Sequence, residues 1–276
     1  MEKNKKIYYI SDLHLDRTED EQKAHDEFIG LLNTNDYFLI PGDSYNGTEK
    51  TIKLLKELEK MKIHGFYVLG NHEYHRLRHG EKIVGMKEWD KEKKMIIDSL
   101  EKNKYFKLLY TGRIEEIEGY KIIGDTAWTN FLNEKNEKTD YKEFIKTFPD
   151  LAKKGNWPWT FKENEKFIKF AQKVINENKK VIVMTHYPLY FPKTKDFNKE
   201  DRILKKIDPI KKNKKQVDMV KSFYYSNNKF DINKDKDVVF VYGHTHNNFS
   251  YDKKHSTNGI GRGGKKITLE VLEFKK

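Results

Sequence analysis

The chain has 276 residues, a formal net charge of +12 and no cysteine. Disulfides and thiolate metal sites are therefore excluded. No apolar run approaches the about 20 residues of a membrane-spanning helix, and the N-terminal "MEKNKKIYYISDLH" lacks the apolar stretch of a signal peptide. A cytoplasmic protein is expected, long enough to bury a substantial core in one domain over residues 1–276.

The basic balance invites a nucleic-acid reading. Only Arg17, Arg76, Arg78, Arg113, Arg202 and Arg262 among the 55 basic residues are arginine, however, and lysine is spread over every segment. That distribution describes a solvated surface more than a phosphate track. It leaves room for an anionic substrate and sets no oligomeric state.

Strand-like and helical runs alternate along the chain, as in an α/β fold. Ile7–Ile10 is a short apolar strand followed by "SDLHLD", and Ala24, Phe28, Ile29 and Leu32 give a helical face to residues 21–32. Tyr37–Ile40 is the next strand, followed by "PGDSYNG". An amphipathic helix over Thr51–Met61 leads to a third strand, Phe66–Leu69, followed by "GNHEYH". Met86–Lys102 reads as a helix and Phe106–Trp128 as a hairpin turning at Glu118-Gly119. Another helix is predicted over Phe161–Ile175, after Trp157 and Trp159, whose rings suit either core packing or stacking on a base. Val181–Met184 then runs into "THYP", and Val238–Tyr242 runs into "GHTH". "MVKSFYYSNNKF" predicts a short helix ending at Asn227-Asn228, and Ile267–Phe274 alternates as a closing strand.

Five strands thus end in a small residue followed by Asp, Asn or His. In open α/β sheets the functional crevice lies outside the carboxyl ends of the strands. The pattern gathers Asp12, His14, Asp43, Asn71, His72, His186, His244 and His246 at one edge. Each alone has an ordinary explanation as a turn residue or helix cap; five such endings in one chain do not.

The five blocks Asp12-Leu-His14, Gly42-Asp43, Gly70-Asn-His-Glu73, His186-Tyr-Pro188 and Gly243-His-Thr-His246 resemble, in order, those of the calcineurin-like metallophosphoesterase superfamily, bacterial and phage members included. The resemblance spans almost the whole chain. It implies an α/β/β/α sandwich of two sheets and two divalent ions that clamp a phosphoryl group and lower the pKa of a bound water to make a nucleophile. Carried over, Asp12, His14 and His246 hold the first metal, Asn71, His186 and His244 the second, and Asp43 bridges. Thr245 lets the two histidines of the last block turn to different metals. Such a donor set suits Mn²⁺, with Fe or Zn²⁺ as alternatives. His72 is the non-ligand histidine, an acid or stabiliser near the leaving group. Glu73, and in a similar way Asp16, would orient ligands from behind.

His75 and Arg76 follow the third block and could reach a substrate phosphate, or simply be solvated. His25, His64 and His255 match no block and read as surface or structural residues. "GDTAWTNF", Gly124–Phe131, resembles a segment of some bacterial and phage members that enters an insertion near the site. Insertions are expected around 129–162 and 192–236. Pro192–Lys236 holds 14 Lys/Arg against 7 Asp/Glu, including "KKNKK", and suits either a basic lid or a solvated loop. "STNGIGRGG", Ser256–Gly264, resembles the family's glycine-arginine turn.

Some departures narrow the activity. Ser44–Gly47 and Leu69 stand where the superfamily's protein Ser/Thr phosphatases carry arginines, which disfavours protein dephosphorylation. No length remains for the capping region of the double-strand-break repair nucleases. Hydrolysis of a small phosphodiester or phosphomonoester fits best. A nuclease acting on nucleic-acid ends is the alternative, and a non-catalytic binding scaffold of the same fold is the reading from another class.

Overall fold

The computed structural model describes residues 5–79, 82–83, 86–133, 135, 137–148, 156–190, 206–246, 248–252, 255–258 and 267–272. In chain order the strands are β1 (Ile7–Tyr9), β2 (Tyr37–Ile40), β3 (His64–Tyr67), β4 (Arg78–His79), β5 (Lys82–Ile83), β6 (Phe106–Leu108), β7 (Glu115–Ile117), β8 (Tyr120–Asp125), β9 (Lys180–Thr185), β10 (Asp237–Tyr242), β11 (Asn248–Asp252), β12 (His255–Asn258) and β13 (Glu270–Val271). The α-helices are α1 (Glu21–Gly30), α2 (Thr48–Lys60), α3 (Met86–Leu100), α4 (Tyr141–Thr147), α5 (Trp157–Glu177) and α6 (Lys214–Tyr224).

One sheet has the order β13-β1-β2-β3-β6, parallel except for β13. The other runs β11-β12-β10-β9-β8-β7, with β8, β9, β10 and β12 parallel. Period-two alternation explains how the sheets stack. In β2, Leu39 joins an inner core with Ile182 and Met184 of β9 and Val239 and Val241 of β10. Phe38 and Ile40 face outward onto α1, α2 and α3, among Phe28, Leu54, Leu58, Trp89 and Ile96. On the far side, Val181, Val183, Val238 and Phe240 pack on Phe167, Ala171 and Val174 of α5. The result is the expected four-layer α/β/β/α sandwich.

Several boundaries differ from the sequence reading. The third strand is His64–Tyr67, two residues earlier than expected; Val68 and Leu69 stay buried beyond the strand itself. Phe106–Leu108 is not part of a hairpin. It pairs with β3 in the first sheet, and only β7 and β8 form the hairpin of the second. The turn is at the expected place, where Glu118 (φ 46°) and Gly119 (φ 79°) adopt the left-handed pair of a two-residue hairpin. Helix α5 starts at Trp157, because Pro158 in its first turn presets the helical φ. Helix α6 ends at Tyr224 rather than Asn227-Asn228, and "KKNKK" supplies its start: Asn213 Oδ1 accepts from Gln216 N at 3.2 Å. Among the described residues, the closing strand is Glu270–Val271, antiparallel to β1, and residues 273–274 lie outside them. Residues 259–264 of the glycine-arginine segment lie outside the described residues.

Segments of the two stretches expected as insertions pack on one another. Phe131, Phe144, Trp157, Met219, Phe223, Tyr224 and Tyr225 form one apolar cluster. Thr129 Oγ1 donates to Ser222 O, and Lys215 pairs with Glu143. Trp157 and Trp159 are both buried, and Trp159 Nε1 donates to Asp90 at 2.7 Å, so these rings serve packing rather than stacking on a base.

Candidate metal centre

The strand-end loops are positioned by backbone geometry that only a few residues adopt. Asp12, His14, Asp43, His244 and His246 all have positive φ, five of the nine non-glycine residues that do so among those described. Each such residue costs about 1–2 kcal/mol, a strain that concentrates at functional sites. The loops also interlock. Asp12 N donates to Gly42 O and His14 N to Asp43 O, both at 3.0 Å. A Cβ on Gly70 would lie 2.7 Å from Asp43 N, and one on Gly243 would lie 2.6 Å from Ser11 Oγ, so both blocks need glycine for this approach.

The side chains then converge. Asp12, His14 and His246 offer three donor atoms within 4.8 Å of one another, and so do Asp43, His186 and His244. In the first group, His14 Nε2 lies 3.2 Å from His246 Nε2, and Asp12 Oδ1 lies 3.4 Å from the same nitrogen. In the second, His186 Nε2 is 3.2 Å from His244 Nδ1, 3.3 Å from Asp43 Oδ2 and 3.1 Å from Asn71 Oδ1. Asp43 Oδ2 also lies 3.9 Å from His14 Nε2, so one carboxylate oxygen faces both groups.

These spacings fit metal ligation. Nitrogen donors at about 2.0–2.1 Å from a tetrahedral zinc lie about 3.3 Å from each other. Imidazole and carboxylate lone pairs brought this close in a buried place need a cation or shared protons between them. His186 Nδ1 donates to Pro41 O at 2.7 Å, which turns Nε2 toward the other donors. Asp12 Oδ2 accepts from Ser11 Oγ and from His244 N, and His72 N donates to Asp43 Oδ1 at 2.8 Å.

The electrostatics carry the same strain. Burial, with repulsion from Asp43, lifts the Asp12 carboxyl to about 7 despite the attraction of His186. Burial also pushes Asp43 upward, but His186, His72 and His14 outweigh it and hold the group well below the ordinary carboxylate range. Burial works against protonation of His186, yet Asp43 and Asp12 raise it to about 9.

Glu73 stands behind the centre. Its Oε2 accepts from Gly70 N at 2.7 Å and Asp43 N at 3.4 Å, and its Oε1 accepts from Tyr67 Oη at 2.6 Å. Burial and the nearby Asp43 raise its carboxyl to about 8. Asp16 reaches the centre indirectly, since its Oδ2 accepts from Asn46 N at 2.9 Å. Asn46 Oδ1 in turn lies 2.6 Å from His72 Nδ1.

His72 comes as near as a ligand would. Its Nε2 is 3.7 Å from Asp43 Oδ2, and with His14 and Asp43 it forms a third donor group within 4.8 Å. His75 and Arg76 continue the same 3₁₀ turn, His72–Leu77, but their side chains lie outside those described. His25 is held by Tyr45 Oη at 2.8 Å and Glu57 at 3.0 Å, as a structural histidine would be.

Three contacts of the site were not foreseen from the sequence. Arg17 Nη2 lies 2.9 Å from His72 Nδ1; its only sequence cue is a rare arginine three residues after His14. Asn46 touches the same ring, from the loop that follows Asp43. Tyr187 stacks on His244 with centroids 3.9 Å apart, and Tyr224 of α6 approaches that ring at 5.5 Å. The Gly124–Phe131 segment touches the site: Tyr187 N donates to Thr126 O at 3.0 Å, and Trp128 lies 5.5 Å from Tyr187.

The family comparison agrees with this centre. The model of the calcineurin-like phosphoesterase family matches residues 5–248, and the chain belongs to that family. It is a phosphoesterase, a hydrolase of phosphoric ester bonds, from a family that typically binds a dinuclear metal centre. Among solved structures, the phosphopantetheinyl hydrolase of Mycobacterium tuberculosis is similar over 98% of this chain and 96% of that one, at 17% identity and TM-score 0.64. A dimetal phosphatase from Danio rerio matches over 93% of this chain and 88% of that one, at 12% identity and TM-score 0.43. At such identities the first likeness shows the fold alone, and the second carries no weight here. No curated protein sequence matches the chain. No helix among the described residues is long and apolar enough to cross a membrane.

Proposed function

We propose that the chain is a two-metal phosphoesterase acting on small phosphodiesters or phosphomonoesters. The observation that carries this reading is the carboxylate of Asp43, whose Oδ2 faces both the His14 and the His186 sides of the donor cluster. Asp12, His14 and His246 would hold one divalent ion, and Asn71, His186 and His244 the other, with Asp43 shared. Manganese suits this oxygen–nitrogen set, with iron or zinc as alternatives. Such a pair supplies Lewis acidity toward the phosphoryl oxygens and acidifies a water for attack. The protein's own part is to fix these donors on interlocked loops and to hold a proton at His72 for the leaving group. Asn46 and Asp16 support that histidine, and Glu73 ties the second and third blocks together.

Metal analysis beside chromogenic assays tests this. Two ions per chain and hydrolysis of bis(p-nitrophenyl) phosphate or p-nitrophenyl phosphate are expected. A fully metallated protein that turned over neither ester would sink it. The nuclease alternative draws on Lys211, Lys212, Lys214 and Lys215, which are exposed around the start of α6. If they guide a single strand, each phosphate neutralised adds about −0.7 to the slope of log K against log salt. Replacing those four lysines by glutamine should then flatten the slope, and an unchanged slope would discard the nuclease reading of this segment.

A further inference from the structure

Arg17 closes a 3₁₀ turn, Leu15–Arg17, that begins at His14: its N–H donates to His14 O at 2.9 Å. His14 caps the turn in the left-handed region (φ 43°), and the Arg17 guanidinium reaches the edge of the donor cluster. There it meets His72, whose ring packs edge-on to His14 with centroids 4.5 Å apart. Arg17 Nη2 lies 2.9 Å from His72 Nδ1 and 3.3 Å from Nε2, and Nε2 is 3.7 Å from Asp43 Oδ2. The residue is exposed whereas His72 is buried, so the guanidinium marks the solvent edge of the donor cluster. An anion approaching Asp43 from solvent on this side meets Arg17 first. Asn46, anchored by Asp16, reaches the same ring nitrogen of His72, Nδ1.

We propose that Arg17 grips a non-bridging oxygen of the substrate phosphoryl group and makes the site favour phosphomonoesters over phosphodiesters. This rests on the phosphoesterase reading above. A phosphomonoester carries up to two negative charges over three non-bridging oxygens; a diester carries one charge over two. Arg17 stands at the exposed rim of the centre, against His72 of the His14–Asp43–His72 group. The additional charged oxygen of a monoester is what the guanidinium is placed to take, and its planar fork can bond two phosphoryl oxygens together. In a diester that position carries an ester substituent, which offers the fork little.

The test uses the full chain loaded with Mn²⁺, as wild type, R17A and R17K. p-Nitrophenyl phosphate and bis(p-nitrophenyl) phosphate share a leaving group and differ in the extra ester, and titration calorimetry with inorganic phosphate reads binding without turnover. A hydrogen-bonded charge predicts a loss of about 10–100-fold in kcat/KM for the monoester in R17A, with a similar weakening of phosphate. The diester should lose about tenfold less, because it lacks the partner oxygen. R17K should recover part of the loss, since a point charge replaces the fork. Equal losses on both esters would overturn the proposal, because Arg17 would then act through His72. So would an unchanged phosphate affinity, or loss of metal from R17A. Should the wild type turn over neither ester, the phosphoesterase reading falls and the phosphate titration alone decides Arg17: weakening upholds the grip, and no change removes it.

Discussion

Asp43 Oδ2 lies 3.3 Å from His186 Nε2, with both side chains closed to solvent. The same oxygen faces His14 at 3.9 Å, so a single carboxylate joins the two donor groups. Asp43→Asn keeps the shape of the residue and removes its charge. The expected result is loss of metal from both positions and a fall in turnover of about 10²–10³, the scale of losing one electrostatic stabiliser. Metal stoichiometry by mass spectrometry and steady-state assays check this. Near wild-type turnover in a freshly metallated D43N protein would remove Asp43 from the shared position.

His72 stands as near the centre as a ligand, with Nε2 3.7 Å from Asp43 Oδ2, and its removal separates the acid from a ligand. As a proton donor, it can be deleted with metal retained. His72→Ala should then lower kcat by about 10²–10⁴, the usual worth of a general acid. The loss should shrink for nitrophenol leaving groups, which need no proton, and be largest for alkyl ones. A variant that loses one metal ion instead would make His72 a ligand.

The aromatic rings beside His244 predict a structural duty for α6. Tyr187 stacks on that imidazole at 3.9 Å and Tyr224 of α6 approaches it at 5.5 Å. A partner that orients a metal-binding histidine is commonly worth about 10–100-fold in metal affinity. Tyr224→Ala should therefore weaken binding of one of the two metals by about that factor, while Tyr224→Phe, which keeps the ring, should not. Competition with a chelator measures both. Equal affinities in the two variants would show that α6 merely covers the site.

The candidate site was legible where its residues are local. A ligand that directly follows a buried strand announces itself as Asp, Asn or His after a small residue, and all five such endings lie at one edge. The four layers were implied by the family resemblance; in the structure they rest on the alternation of Leu39, Ile182 and Val239 with their outward-facing neighbours. What escaped depends on contacts between distant segments. Arg17 and His72 are 55 positions apart, and nothing in either neighbourhood states that they touch. Phe106–Leu108 reads equally well as half of a hairpin, because a three-residue apolar strand does not reveal which sheet it will join. The first turn of α5 was hidden by Pro158, which reads as a breaker although it is welcome at a helix start.

The buried carboxyls and imidazole make stability depend on pH in opposite ways with and without metal. In the metal-free protein Asp12 titrates near about 7, Glu73 near about 8 and His186 near about 9, against 3.8, 4.5 and 6.5 for the free groups. All three are raised, so the folded chain holds protons that the unfolded chain has released. Raising the pH from about 5 to 9 must therefore remove stability from the metal-free protein. Asp43 is shifted the other way, but its contribution fades only as pH falls below the ordinary carboxylate range, outside this window. Metal ions require the ligand atoms of Asp12 and His186 deprotonated, so their affinity, and the stability they add, rises with pH. Thermal melts at about pH 6 and about pH 9 should show Tm falling with pH in chelator, and the gain from added Mn²⁺ growing over the same interval. A metal-induced gain in Tm that is the same at both ends would mean that these donors do not exchange protons for metal. The assignment of Asp12 and His186 as ligands would fall with it.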